Sequence, residues 1–283
     1  MEILLIAAVL PVIALCYYIY KKDKNGEPHD MLRKLFIFGF LSALPVLIVE
    51  LFLGSFFDTD HATNFVLIFI NTFISVALVE EGFKWLVTKF FGYDHKEFDE
   101  IYDIIVYSVF ASLGFACIEN ILYVLQNGLG NAILRALTSI PGHTCFAVIM
   151  GYFFSKAKVN HLNGNQSQYT KNMIYSILMP ALFHTMYDAI IFYAVAADVG
   201  EFVIYFFAFD IFMVVLCFNI VKKVSTMQQN LTTNVESGTI TSTSAGQIEY
   251  QPKEATTMNF CPICGRRVTG YRFCPSCGFK VQR

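Results

Sequence analysis

The chain has 283 residues, of which 55% are hydrophobic and only 15% charged, with 29 phenylalanines and a mean hydropathy of +0.53. That composition excludes an ordinary soluble domain and marks an integral membrane protein. A net charge of −2 without a basic stripe excludes a nucleic-acid binder, because nothing is arrayed to neutralise phosphates.

Apolar stretches at about 3–20, 33–56, 65–91, 103–125, 131–155, 173–196 and 202–221 predict seven transmembrane helices, hence an all-α polytopic fold. The first is read as a permanent anchor. Glu2 precedes it and Lys21, Lys22 and Lys24 follow it, the reverse of a secretory signal. Lys21, Lys22, Lys24, Arg33 and Lys34 flank the first loop, Lys89 and Lys96 the third, and Lys156, Lys158 and Lys171 the fifth. Lys222 and Lys223 follow the last span, whereas the loops at 58–62, 126–130 and 197–201 carry no lysine or arginine. The positive-inside rule then places the N-terminus outside and the C-terminus in the cytoplasm of a multi-pass cell-membrane protein. Arg135, near the outer end of span five, departs from the rule; it either snorkels outward or pairs with a buried carboxylate.

The third span contains Glu80-Glu81-Gly82-Phe83-Lys84, with Ser75 upstream. A charge at this depth costs at least ~2.5–3.5 kcal/mol, so an intramembrane Glu-Glu pair points to function. Glu119 interrupts span four, His143 span five, and His184 with Asp188 span six. Glu80 to Lys84 and His184 to Asp188 are both four residues apart and share a helix face, so Lys84 can neutralise Glu80 and Asp188 can orient His184. Glu81 is rotated by about 100° from Glu80, which suggests that one carboxylate works and the other braces. Axially, Glu80 falls roughly 7 Å to one side of the midplane and Glu119 roughly 6 Å to the other, at ~1.5 Å per residue. A compact site therefore requires tilted or shifted helices. Glu50 and Asp210, alone in their spans, read as structural or interface charges.

Beyond Lys223 the sequence turns rich in Ser, Thr, Gln and Asn, and 224–258 is read as a flexible linker. It leads to Cys261-Pro-Ile-Cys264-Gly265 and Cys274-Pro-Ser-Cys277-Gly278. Two such turns, each presenting a pair of thiolates, predict a structural zinc ribbon over 259–283 that closes the ion's coordination and leaves it no catalytic position. Its basic residues permit a cytoplasmic protein partner or anionic lipid. The remaining Cys16, Cys117, Cys145 and Cys217 read as buried small hydrophobes.

In order, Glu80-Glu81-x-x-Lys84, Gly114-Phe115-x-x-x-Glu119-Asn120, His143 and His184-x-x-x-Asp188 resemble the motifs of the PrsW family of intramembrane proteases, over roughly residues 70–195. That family is related to the CAAX-processing membrane proteases. The resemblance implies a protease domain over 1–223 that cleaves single-span, membrane-anchored substrates, an anti-sigma factor among them. It implies Glu80 or Glu81 as general base, His143 and His184 as metal ligands or oxyanion donors, and Lys84, Glu119 and Asp188 completing the polar cage. Two chemistries stay open: a zinc held by His and Glu, or a glutamate acting without metal. A proton-coupled transporter and an inactive binding or signalling protein are the alternatives in other classes.

Overall fold

The computed structural model describes residues 1–237 apart from 24, 25, 58–63, 96, 99, 163 and 164, with side chains as far as Ser225. The described chain is helical throughout: α1 (Glu2–Lys22), α2 (His29–Gly54), α3 (Phe65–Tyr93), α4 (Asp103–Leu137), α5 (Ser139–Leu162), α6 (Gln166–Ala196) and α7 (Phe202–Ser237). Each contains an apolar stretch long enough to cross a bilayer, α4 and α5 sharing one that runs from Asp103 to His161. Large apolar side chains such as Ile48, Leu51, Ile204 and Ile211 lie exposed on the outer faces, as a lipid-facing surface requires.

α4 is the central helix. Residues 103–109 and 111–117 are buried, and α1, α2, α3 and α5 all pack against it. The crossing with α2 is close because both helices place glycine there. A Cβ on Gly39 would stand 1.9 Å from the Ala111 carbonyl oxygen, and one on Gly114 would stand 2.1 Å from that of Phe36. Small residues at such crossings let backbones approach where lipid gives no hydrophobic drive.

Two irregularities depart from the predicted spans. In α3, π-helical turns at Phe73–Ala77 and Lys89–Tyr93 bracket the Glu-Glu segment. A π turn adds a residue to the helical repeat and re-aims the side chains that follow it. In α4 the chain turns at Gly128, whose φ of +78° is open to glycine. Helix resumes to Leu137, and Thr138 separates it from α5.

α7 also runs past Lys223 to Ser237, so the first part of the segment expected to be a linker is helical. No Gly or Pro stands between Lys223 and Gly238, and an established helix propagates through Ser, Thr, Gln and Asn at little cost. Cys16, Cys117, Cys145 and Cys217 are free thiols and buried, as expected.

Candidate active site

The side chains of α3 after its first π turn set the site. Lys84 is fully buried, and its Nζ donates to Glu80 Oε2 at 2.8 Å and Glu81 Oε1 at 2.9 Å. Spacings of four and three residues place both carboxylates within reach of one ammonium, so the two glutamates converge on it. The third neighbour of Nζ is His143 Nδ1 on α5, at 3.2 Å. Three acceptors thus meet the three donors of an ammonium. The Phe115 ring of α4 lies beneath it, 4.2 Å from Nζ to the centroid.

An ammonium has no lone pair, so His143 accepts at Nδ1 and carries its hydrogen on Nε2. That Nε2 donates to Glu119 Oε2 at 2.8 Å. Ser112 of α4 donates to the main-chain carbonyl of His143 at 3.0 Å, tying the two helices together beside the imidazole. On the opposite side, His184 of α6 lies 3.1 Å from Glu81 Oε1 through Nδ1 and 3.2 Å from Asp188 Oδ2 through Nε2. The Phe146 ring stacks on His184 at 4.7 Å.

All seven residues singled out in the membrane region therefore form one connected set, running from Asp188 through His184, Glu81, Lys84 with Glu80, and His143 to Glu119. The axial gap expected between Glu80 and Glu119 closes: with His143 they offer ligand atoms all within 4.8 Å of one another. Glu81 and Lys84 have no exposed surface. Glu119 and Asp188 are the most exposed members of the set, at 22% and 17% of their side-chain surface.

Four further residues join them. Phe115 and Asn120 stand inside the quoted motif, and only the fold gives them partners. Arg135 does not snorkel: it makes an ion pair with Glu119 Oε1 at 3.1 Å and donates from Nε to Asn120 Oδ1 at 2.8 Å. Glu50 lies within electrostatic range of Glu80, Glu119, Lys84 and His184, its Oε1 buried without a hydrogen-bond partner. The signal for Glu50 was in the sequence, since it extends the buried seam Leu35, Gly39, Ser42 and Val46 of α2 by one turn. The cysteines Cys261, Cys264, Cys274 and Cys277 lie outside the described residues.

Two overlapping sets of donors fit a metal ion, Glu80 with Glu81 and His184, and Glu80 with Glu119 and His143. Carboxylate and imidazole suit zinc and its neighbours, and Glu81 Oε2 is a buried acceptor with no hydrogen-bond partner.

The sequence model of the PrsW family intramembrane metalloproteases matches residues 27–218. The chain belongs to the PrsW family. It is a membrane-embedded protease, and the matched region holds every helix of the site. Protease PrsW of Oceanobacillus iheyensis is 43% identical over 188 residues, covering 66% of this chain and 82% of that protein. Protease PrsW of Bacillus subtilis is 34% identical over 193 residues (65% and 81%), and that of Clostridioides difficile 34% over 193 (66% and 79%). No solved structure matches the chain. All of α1 and the four C-terminal cysteines fall outside the PrsW match.

Proposed function

We propose that the chain is an endopeptidase that hydrolyses a peptide bond of a single-span, membrane-anchored protein at the Glu80, Glu81, Glu119, His143 and His184 cluster. The observation that carries this reading is the meeting of these groups from four helices in one buried network. Glu81 is the general base. Its Oε1 is held by Lys84 and His184, while Oε2 is left to accept a proton from water as the oxygen attacks the substrate carbonyl. Glu80 shares the Lys84 ammonium and braces the turn. The Lys84 ammonium supplies the positive charge toward which an oxyanion develops. When the C–N bond breaks, the proton gathered by Glu81 passes to the departing amine. Asp188 and Glu119 hold the far nitrogens of His184 and His143, fixing their orientation.

A metal would be held by Glu80 and His184 with Glu81, or by Glu80 and His143 with Glu119. When bound, it supplies Lewis acidity and lowers the pKa of its water to about 7. The clustering of these donors and the metalloprotease description of the family support the metal version.

The substrate class, an anti-sigma factor among its candidates, rests on the PrsW resemblance. The distribution of lysines supports an external N-terminus and a cytoplasmic C-terminus. The Cys261, Cys264, Cys274 and Cys277 spacing supports a separate zinc ribbon that binds a cytoplasmic partner or anionic lipid rather than catalysing. In proteoliposomes, Glu81→Ala and His184→Ala each abolish cleavage of a single-span reporter while the protein accumulates normally. Full activity in both variants would overturn the assignment.

A further inference from the structure

We propose that Arg135 is a positioning residue of this protease, anchored to α1 through Asn120, and that it acts on the reaction by fixing Glu119 and thereby His143. The inference rests on the site proposed above and adds to it a residue and a helix that the motifs do not include.

Arg135 reaches the site through a chain reversal. It follows Glu119 by sixteen positions, and in an unbroken helix that spacing corresponds to about 24 Å of rise. The ion pair at 3.1 Å exists because the chain turns at Gly128 and carries the final turns of α4 back toward Glu119. The returning segment is seated by Ala132, which packs with Ala8 of α1 and Val124 in a small cluster of its own. Arg135 stands three residues beyond Ala132, nearly one helical turn, and its guanidinium lies 4.3 Å from the centroid of the Tyr123 ring.

From Arg135 the contacts run in two directions. Nε donates to Asn120 Oδ1, and Asn120, without exposed surface, donates from Nδ2 to the Ala8 carbonyl oxygen at 2.8 Å. Both ends of the Asn120 amide are therefore engaged, and the guanidinium is fixed to the backbone of α1. In the other direction Nη2 makes an ion pair with Glu119 Oε1, without a hydrogen bond, and Oε2 is aimed at His143 Nε2. Held on this side, Glu119 presents Oε2 to His143 Nε2, and the imidazole faces Lys84 with Nδ1. A planar guanidinium spans two acceptors at once, whereas a lysine ammonium is a single point on a flexible stem.

Steady-state cleavage of a single-span reporter, selected for cleavage by the parent protein, tests this in proteoliposomes. Partners of this kind are worth about 10–100-fold. Arg135→Ala should lower kcat by about that factor with KM within about twofold, methylguanidinium should restore part of the loss, and Arg135→Lys should stay impaired. Asn120→Leu, which leaves the arginine in place but cuts its anchor, should lower kcat in the same direction by a smaller factor. It serves as the readout if Arg135→Ala does not accumulate. A folded Arg135→Ala with kcat within twofold of the parent, a loss confined to KM, or a loss untouched by methylguanidinium overturns the proposal. So does an Asn120→Leu variant with unchanged kcat. Glu81→Ala is run alongside: if it is inactive while Arg135→Ala is not, this inference alone fails, and if it is fully active, the site assignment itself fails.

Discussion

Lys84 sets the residue-scale behaviour of the site, because one ammonium satisfies two glutamates and an imidazole. Replacing it by Met leaves two buried carboxylates without their cation, a change that costs about 3–5 kcal/mol when one partner of a buried pair is removed. Lys84→Met should therefore unfold at markedly lower temperature in detergent than Glu119→Gln, which keeps a hydrogen-bond acceptor for His143 and removes one charge, beside Arg135, from a side chain that is 22% exposed. Thermal denaturation of the two variants checks the order. The seven membrane-site residues were legible in sequence because charge at bilayer depth is costly enough to be conspicuous. Arg135 was not legible in the same way. Its partner depends on where the chain reverses, and hydrophobic periodicity does not report the φ of Gly128.

At the scale of elements, the glycines of the α2–α4 crossing and the π turn of α3 decide where the site residues lie. Gly39→Ala and Gly114→Ala each force a methyl into backbone already 1.9 and 2.1 Å from that position, so α2 and α4 must separate. Overpacking of this kind costs about 1–3 kcal/mol or more. Gly54→Ala meets nothing within 4 Å and should be silent, so a thermal-stability comparison of the three variants isolates the crossing. Inserting one alanine after Leu78, between the π turn and the Glu-Glu pair, should rotate Glu80 and Glu81 by about 100° relative to the start of α3. Activity should vanish while the protein still inserts, as measured by reporter cleavage and membrane fractionation. The seven spans followed directly from apolar length. The π turns and the bend at Gly128 did not, because each is a local change of pitch inside an otherwise uninterrupted apolar run.

Across the whole molecule, the proposal that the C-terminal cysteines form a zinc ribbon separate from the membrane domain has a direct test. Removing residues 238–283 should leave reporter cleavage in place and lower bound zinc by one equivalent per chain, read by elemental analysis. Chelator sensitivity of the shortened protein then reports on the intramembrane donors alone. The order of the chain adds a consequence for biogenesis. Lys84 lies on the same helix as both glutamates, within one turn, and α3 leaves the ribosome before the helices that bring His143 and His184. The span with the Glu-Glu pair therefore carries its own counter-ion through the translocon, and the Glu80–Glu81–Lys84 group enters lipid with one excess charge instead of two. The protease can be threaded into the bilayer helix by helix before its histidines arrive, and the glutamates wait there already paired.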